Sequence, residues 1–186
     1  MAMVQGRKIL GAAMLTGVMA LVAGCTTSGG KPDVVTAAPA DASAPLVDAR
    51  GADRGHVDIY RTASGLRLEV VARGFAAGQY GMHVHSVGRC DAPDFASAGG
   101  HWNPSAKHHG RDNPQGAHHG DLPNLVIANG EIGRASVDIV GSRFEGEGAL
   151  LDGDGAAFVI HAGPDDYRSD PAGNSGARVA CGVITR

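Results

Sequence analysis

The sequence predicts an all-β fold, a β-sandwich or flattened barrel that is interrupted by one long irregular loop. Several short segments alternate apolar and polar residues, turn-forming residues and 29 glycines separate them, and no segment combines a helical period with capping residues. Aromatic residues are only 4% of the 186 residues, a length that allows one domain with a sizeable core. The net charge of −3 and the lack of a basic stripe argue against nucleic acid as a partner.

The first segment, residues 1–24, is interpreted as a signal peptide and not as part of the fold. Arg7 and Lys8 precede an uncharged, mostly apolar run over 9–24, which is short for a membrane-spanning helix. The run ends in LVAGC, which resembles the bacterial lipoprotein signal, so Cys25 is the predicted lipidated first residue of the mature chain. An ordinary secreted protein and a failed membrane span are the alternatives.

The next segment, residues 25–44, is predicted to be the lipidated N-terminus and a flexible tether. It is rich in Ser, Thr, Gly, Ala and Pro and has no sustained period. Thr26 follows Cys25 in place of the aspartate that favours retention in the inner membrane. We therefore expect a chain anchored in the cell envelope, at the outer membrane and facing the periplasm, with its folded domain over 45–186.

The strands of that domain are predicted from their patterns, in chain order. In the segment GMHVHSVG, His83 and His85 are two residues apart, so a strand would project both rings from one face. Alternating or buried strand patterns occupy the ranges 56–62, 66–75, 135–141, 156–163 and 177–184.

The cysteines suggest a cross-link within the domain. With Cys25 assigned to lipid, Cys90 and Cys181 remain, and an exported protein meets an oxidising compartment. We expect these two residues to form a disulfide, and two free thiols are the alternative.

Histidines are concentrated in the region that lacks alternation, residues 89–124, and just before it. Seven of the nine histidines lie between His83 and His119. A loop this long is uncommon without a function, and metal binding would provide the free energy to order it. Three histidines and one aspartate form a tetrahedral set typical of zinc, whereas three strand histidines without a thiolate suit Cu²⁺. The first set is His101, His109, His118 and Asp121, and the second is His83, His85 and His161.

Six sequence pieces, in one order, now point to a family. They are GMHVH, GGHWNP, HHG, HHGDLPN, VIHAGPDD and GNSGARVACGVI, and they cover about residues 45–186. In these pieces the chain resembles the copper–zinc superoxide dismutases. The resemblance implies a Greek-key β-sandwich, or flattened eight-stranded barrel, with a long metal-binding loop. It also implies that superoxide is dismutated to dioxygen and hydrogen peroxide by a redox-cycling copper beside a structural zinc.

The resemblance also implies roles for individual residues. His101 would bridge the two metals, Asp165 would hold ligand histidines of both, and Arg178 would dock the anion beside copper. Copper would be bound by His83, His85, His101 and His161, and zinc by His101, His109, His118 and Asp121. The neighbouring His108 and His119 are the alternatives if the register is shifted by one residue.

Two other classes of function would explain fewer of these sequence features. A copper or zinc buffer or delivery protein would need the ligands but neither Arg178 nor a shared His101. A structural, adhesin-like sandwich would leave the clustering of histidines unexplained. Whether the chain is a monomer or a homodimer is left open by the sequence.

Overall fold

The computed structural model describes residues 38–130 and 132–186. The signal peptide predicted over 1–24 and the lipidation predicted at Cys25 lie outside these residues. Within the described ranges, no helix has both the length and the apolar character needed to cross a membrane.

The described residues form antiparallel strands, which confirms the all-β prediction. The only helical element among them is a single 3₁₀ turn at Ala96–Ala98. The strands are β1 (Ala42–Val47), β2 (Asp53–Thr62), β3 (Gly65–Ala72), β4 (Gly78–Tyr80), β5 (Met82–His85), β6 (Leu125–Ile127), β7 (Gly133–Val140), β8 (Ala157–His161) and β9 (Arg178–Val183).

The folded part begins earlier than the sequence pattern indicated. Strand β1 starts at Ala42, inside the range 25–44 that was predicted as tether, and Ala42 lies opposite Ile59 of β2. Ala42, Ala44 and Leu46 are buried on one face of β1. Because two of these three side chains are only methyl groups, the alternation of β1 is weak in the sequence. The boundary predicted at residue 45 is therefore corrected to a position before Ala42.

Seven strands form one sheet, in the order β5-β8-β9-β1-β2-β3-β7, and β4 pairs with β6 in a second, two-stranded sheet. Met82 and Val84 of β5, at one edge of the large sheet, belong to the same buried cluster as Ile139 of β7 at the other edge. Residues from both edges can share one core only if the sheet curls over it. The curled seven-stranded sheet and the two-stranded sheet together correspond to the flattened barrel that was predicted, with nine strands in the described residues instead of eight.

Strand β8 is buried on both faces. Phe158 and Ile160 point into the main core. The opposite face packs against the start of the long loop in a second cluster formed by Phe95, Ala98, Ala157, Val159 and Cys181, with Cys90 at its margin. A disulfide joins Cys90 to Cys181 with a Cα–Cα distance of 5.8 Å, which confirms the predicted cross-link. It fixes the long loop to β9.

Strand β5 explains how the long loop is held over the sheet. Its Val84 N–H donates to Gly120 O (3.0 Å), and Val84 O accepts from Trp102 N–H (2.8 Å). The loop therefore pairs with the free edge of β5 at two points. Gly120 is required at this contact because a Cβ atom there would overlap Val84 O. The pairing places Asp121 beside His83 and His101 beside His85.

Candidate metal centre

Four histidines converge beside β5, on the face that points away from the main core. They are His83, His85, His101 and His161, and each offers one ring nitrogen to a group whose nitrogens all lie within 4.8 Å of one another. Strand alternation places His83 and His85 on this face because Met82 and Val84 occupy the core face. This group is called the first donor set.

Each ring of the first donor set has its other nitrogen held by an oxygen. His83 Nε2 donates to Asp165 Oδ2 (2.7 Å), and His85 Nδ1 donates to Gly99 O (2.9 Å). His161 Nδ1 donates to Gly176 O (3.0 Å), and His101 Nδ1 lies 2.8 Å from Asp121 Oδ1. The remaining nitrogens are buried and have no hydrogen-bond partner: His83 Nδ1, His85 Nε2, His101 Nε2 and His161 Nε2. Four convergent lone pairs with fixed tautomers are suited to a metal ion.

The electrostatics of the first donor set favour neutral rings. Burial lowers the pKa of His83 to about 3, of His85 to about 2 and of His161 to about 4. Burial also lowers the pKa of His101. A neutral imidazole is the form that ligates a metal, so these rings are ready to bind one near neutral pH.

A second donor set shares His101 with the first. Its members are His101, His109, His118 and Asp121. Asp121 Oδ1 lies 2.8 Å from His101 Nδ1, 3.0 Å from His109 Nδ1 and 3.0 Å from His118 Nδ1. His118 Nδ1 is 3.4 Å from His101 Nδ1. The other oxygen of Asp121 accepts from the backbone N–H groups of Gly110 (2.8 Å) and His118 (3.0 Å).

These distances fit a tetrahedral zinc site. Metal–ligand bonds of about 2.0–2.1 Å in a tetrahedron place the ligand atoms about 3.3 Å apart, close to the spacing of this set. His109 Nδ1 is buried without a hydrogen-bond partner. Burial opposes ionisation of Asp121, but the ring nitrogens of His101, His109 and His118 that face it hold its pKa below the usual range. Three nitrogens around one ionised oxygen are the donors that zinc prefers.

Asp165 connects the two donor sets. Its Oδ2 accepts from His83 Nε2 (2.7 Å), and its Oδ1 lies 3.0 Å from His109 Nε2. Burial raises the pKa of Asp165, but the hydrogen bonds from His109 and His83 outweigh it and leave the carboxyl ionised. One carboxylate thus orients a ring of each set.

Asn124 and Tyr167 support Asp165 and were assigned no role in the sequence analysis. Asn124 Nδ2 donates to Asp165 O (2.9 Å), and Asn124 Oδ1 accepts from Asp165 N–H (2.8 Å). The Tyr167 hydroxyl accepts from Asn124 N–H (2.7 Å). The only sequence signal was the position of Asn124 at the end of HHGDLPN. A side chain that pairs with a distant backbone leaves no local pattern.

Arg178 lies beside the first donor set. It is the register partner of His161, and its charge contributes to the lowered pKa values of His85 and His161. Its Nη1 donates to Phe95 O and its Nη2 to Gly99 O, both at 2.7 Å. Gly99 O also accepts from His85 Nδ1, so one carbonyl orients both side chains. The guanidinium is thereby fixed between β9 and the loop that the disulfide holds.

His108 and His119, the sequence neighbours of His109 and His118, point away from the second donor set. The half-exposed side chain of His108 lies 2.7 Å from Asp170 Oδ2, and the ring of His119 packs tilted against Trp102 with centroids 5.3 Å apart. The second donor set therefore contains His109 and His118 and not His108 and His119.

A curled antiparallel sheet that carries two histidine-rich donor sets joined by one ring defines a class of dinuclear metal-binding β-barrel proteins. Residues 53–184 match the family model of copper/zinc superoxide dismutase (SODC). The chain belongs to the copper/zinc superoxide dismutase family. Membership confirms the predicted enzyme class and its two cofactors, copper and zinc, and both donor sets fit these ions.

Relatives from several bacteria support the assignment. The chain is 40% identical over 146 residues to a superoxide dismutase [Cu-Zn] of Aquifex aeolicus, covering 76% of this chain and 85% of the relative. It is 41% identical over 140 residues to that of Caulobacter vibrioides, covering 72% and 79%. Among solved structures, a SOD-like protein from Bacillus subtilis has a TM-score of 0.72 at 38% identity, covering 75% of this chain and 95% of that one. The Cu/Zn superoxide dismutase from Brucella abortus has a TM-score of 0.62 at 28% identity, covering 78% and 100%.

Proposed function

We propose that the protein dismutates superoxide at a copper ion held by the first donor set, next to a zinc ion held by the second, with His101 bridging the two. The observation that carries this proposal is the orientation of the His101 ring. Its Nδ1 faces Asp121 and His118 of the second donor set, and its Nε2, on the other side of the ring, is buried without a hydrogen-bond partner. Two cations on one ring would make loss of both ring protons favourable near neutral pH.

The bound metals would supply the electron chemistry that no side chain offers. A copper ion held by the first donor set would supply one-electron oxidation of one superoxide ion and one-electron reduction of a second, whereas a zinc ion has no accessible redox change. The sum is two superoxide ions and two protons giving dioxygen and hydrogen peroxide. The remaining tasks, docking an anion and delivering protons, fall to the protein.

Arg178 is positioned to dock the anion. An arginine has five N–H donors, and the two hydrogen bonds to Phe95 O and Gly99 O leave donors for a further partner. Its guanidinium is already fixed by those bonds, so docking requires little additional ordering. A charge-assisted hydrogen bond to superoxide would hold the substrate at the first donor set.

His101 is positioned to hold and transfer a proton at Nε2. On the other side of the ring, Asp121 and the second donor set keep Nδ1 in place, so the ring stays oriented when Nε2 is protonated. A zinc ion in the second donor set would keep the ring in this orientation throughout, because zinc does not change its redox state.

The test uses Arg178→Gln in fully metal-loaded protein. We expect kcat/KM for superoxide to fall about 10–100-fold, the value of a lost hydrogen bond to a charged group, while bound copper and zinc are unchanged. Arg178→Lys keeps the charge and should retain more activity than Arg178→Gln. The matched control is Arg134→Gln, an exposed arginine on β7.

A metal buffer or delivery protein is the competing function, and the same experiment separates the two. Turnover no faster than free copper in the wild type, with both metals bound, would establish the buffer and end the enzyme proposal. Loss of copper from Arg178→Gln would show that Arg178 serves metal retention and not catalysis.

We also propose that the protein acts in the cell envelope, anchored through lipid on Cys25 to the outer membrane and facing the periplasm. The LVAGC sequence and Thr26 support this, and the Cys90–Cys181 disulfide is typical of an oxidising compartment. Mass spectrometry of the mature N-terminus should find acylated Cys25, and Cys25→Ser should move the protein from the membrane to the soluble fraction. An unacylated N-terminus at another residue would refute the anchor.

A further inference from the structure

Tyr167 has a backbone conformation that is unusual for a tyrosine. Its φ angle is +64°, in the left-handed region that residues with a Cβ atom rarely adopt. Such a conformation is unfavourable, persists only where the surrounding contacts determine it, and is concentrated at functional sites. The contacts of Tyr167 therefore indicate what this conformation achieves.

The backbone of Tyr167 joins two segments of the metal centre. Its N–H donates to Asp165 Oδ1 (2.6 Å), the oxygen that lies 3.0 Å from His109 Nε2. Its carbonyl oxygen accepts from Asp112 N–H (3.1 Å) in the segment that follows His109. Gly110 packs so closely against this carbonyl that a Cβ atom would overlap Tyr167 O. The backbone of Tyr167 thus links the loop that carries His109 to the carboxylate that orients the His109 ring.

The side chain of Tyr167 reaches a third segment. Its hydroxyl accepts from the backbone N–H of Asn124 (2.7 Å), shortly after Asp121 of the second donor set. The side chain of Asn124 in turn pairs with the backbone N–H (2.8 Å) and carbonyl (2.9 Å) of Asp165. The Arg111 guanidinium lies over the Tyr167 ring, 5.3 Å from its centroid. One half-buried tyrosine therefore contacts Asp165 and the chain that follows two ligands of the second donor set.

These contacts concern the second donor set more than the first. All four members of the second set lie in the loop between β5 and β6. Three of the four members of the first set lie on β5 and β8, where the sheet fixes them. A site built on strands is held more precisely than one built on loops. Loss of a contact that joins these loop segments should therefore disturb the second donor set first.

We propose that Tyr167 is a positioning residue for zinc. It holds the segments that follow His109 and Asp121 against Asp165, so that the donors of the second set keep their spacing. Tyr167 is not itself a ligand, and its hydroxyl acts through Asn124 on Asp165. The inference rests on the zinc half of the function proposed above and does not require turnover of superoxide.

The test is Tyr167→Phe, which removes one oxygen atom and keeps the ring. We expect zinc affinity, measured by chelator competition with Cu⁺ in the first donor set, to fall about 3–10-fold, the value of one neutral hydrogen bond. Affinity for Cu⁺, measured in zinc-saturated protein, should stay unchanged. The matched control is Tyr80→Phe, which loses the hydrogen bond from its hydroxyl to Ala76 O (3.0 Å) outside both donor sets and should leave zinc affinity unchanged.

A spectroscopic readout and a stability measurement separate positioning from a general structural role. Co²⁺ bound in place of zinc reports its coordination geometry through its visible absorption. This spectrum should change in Tyr167→Phe and not in Tyr80→Phe. In urea, metal-free Tyr167→Phe should be no less stable than metal-free Tyr80→Phe.

A double-mutant cycle tests the route through Asn124. Asn124→Ala removes the side chain that pairs with the Asp165 backbone, so it should weaken zinc binding by itself. Tyr167→Phe should then add little in the Asn124→Ala background, because both changes interrupt the same connection.

Three outcomes would overturn the proposal. The first is equal zinc affinity in wild type and Tyr167→Phe. The second is an equal loss of zinc and copper, because Tyr167 would then support the fold as a whole and not the second donor set. The third is full additivity of Tyr167→Phe and Asn124→Ala, which would exclude the route through Asn124. All of these readouts are metal affinities, so a failed dismutase assay leaves the inference standing, and the reverse also holds.

Discussion

At the scale of single residues, the histidines of the first donor set are held by second partners that leave one lone pair free. His83, His85 and His161 each donate from one nitrogen to a fixed oxygen, so the other nitrogen is directed to the common centre. The oxygen that holds each ring decides which nitrogen can bind metal. A mutation of such an oxygen acceptor should therefore affect metal affinity although the ligands themselves remain.

Asp165→Asn tests this dependence most directly. An amide has one oxygen and cannot accept from both His83 Nε2 and His109 Nε2, so one buried ring loses its partner. We expect affinity for copper or zinc to fall about 10–100-fold, measured by competition with a chelator. Asp58→Asn, on β2, is the matched control. Unchanged affinity for both metals in Asp165→Asn would contradict the orienting role.

Asp48 should make stability depend on pH at the acidic end. It accepts hydrogen bonds from Ala52 N–H (3.0 Å), Arg54 Nη2 (2.9 Å) and Arg50 N–H (2.8 Å), and these lower its pKa to about 2. Because the folded pKa lies below the unfolded value of about 3.9, the stabilisation is complete above that pH and is lost as pH falls toward about 2.

Urea unfolding of wild type and Asp48→Asn across this pH range measures the contribution of Asp48. The stability difference between the two proteins should be largest at neutral pH and should shrink below about pH 4. A difference that stays constant down to the lowest pH would show that the Asp48 hydrogen bonds do not depend on its charge.

At the scale of elements, the loop between β5 and β6 is held near its start, in its middle and near its end, by a disulfide and by backbone hydrogen bonds. Cys90 near its start is bonded to Cys181 of β9, and Trp102 and Gly120 pair with Val84 of β5. The loop contributes few large apolar side chains to the core, so these links and the metals must offset its ordering entropy.

Removal of the disulfide should therefore destabilise the fold measurably. The link spans a sequence separation of 91 residues, so its loss frees a large part of the unfolded chain. We expect Cys90→Ser/Cys181→Ser to lower the free energy of unfolding by about 2–5 kcal/mol in urea titrations. Reductant should lower the stability of wild type toward that of the variant and should not affect the variant. Equal stability of variant and oxidised wild type would refute this prediction.

At the scale of the whole molecule, the protein combines an apolar core under the curled sheet with loops whose order depends on bound metal. The core is closed by apolar side chains from both edges of the curled sheet and does not include the metal donors. The donor sets instead join the long loop to β5 and β8, and Asp165 contacts one histidine of each set. The two parts should therefore respond differently when the metals are removed.

Hydrogen exchange in metal-loaded and metal-free protein should show this difference. Amides in 101–121 and 164–175 should exchange faster without metal, because binding free energy no longer opposes local opening. Amides of β2 and β3 should exchange at nearly the same rate in both forms. Zinc alone should restore protection of 101–121. Equal acceleration throughout β2, β3 and the loops would mean that the metals stabilise the fold globally.

Much of the fold and site could be predicted because their signals are local. Alternation revealed β2, β3 and β7, and buried or half-buried apolar runs revealed β8 and β9, whereas the small side chains of Ala42 and Ala44 concealed β1. The spacing of histidines indicated metal binding, and family motifs distinguished His109 from His108. Asn124 escaped notice because its partner, Asp165, is distant in sequence and is contacted through the backbone.

The sequence by itself determined which chemistry the chain can perform, since residue types and their order fix the available donors and the face on which a strand presents them. Only the tertiary structure decided that His101 Nδ1 faces Asp121 and that Asp165 contacts one histidine of each donor set. Such arrangements depend on contacts between distant segments, and these form only when the sheet curls and the loop pairs with β5.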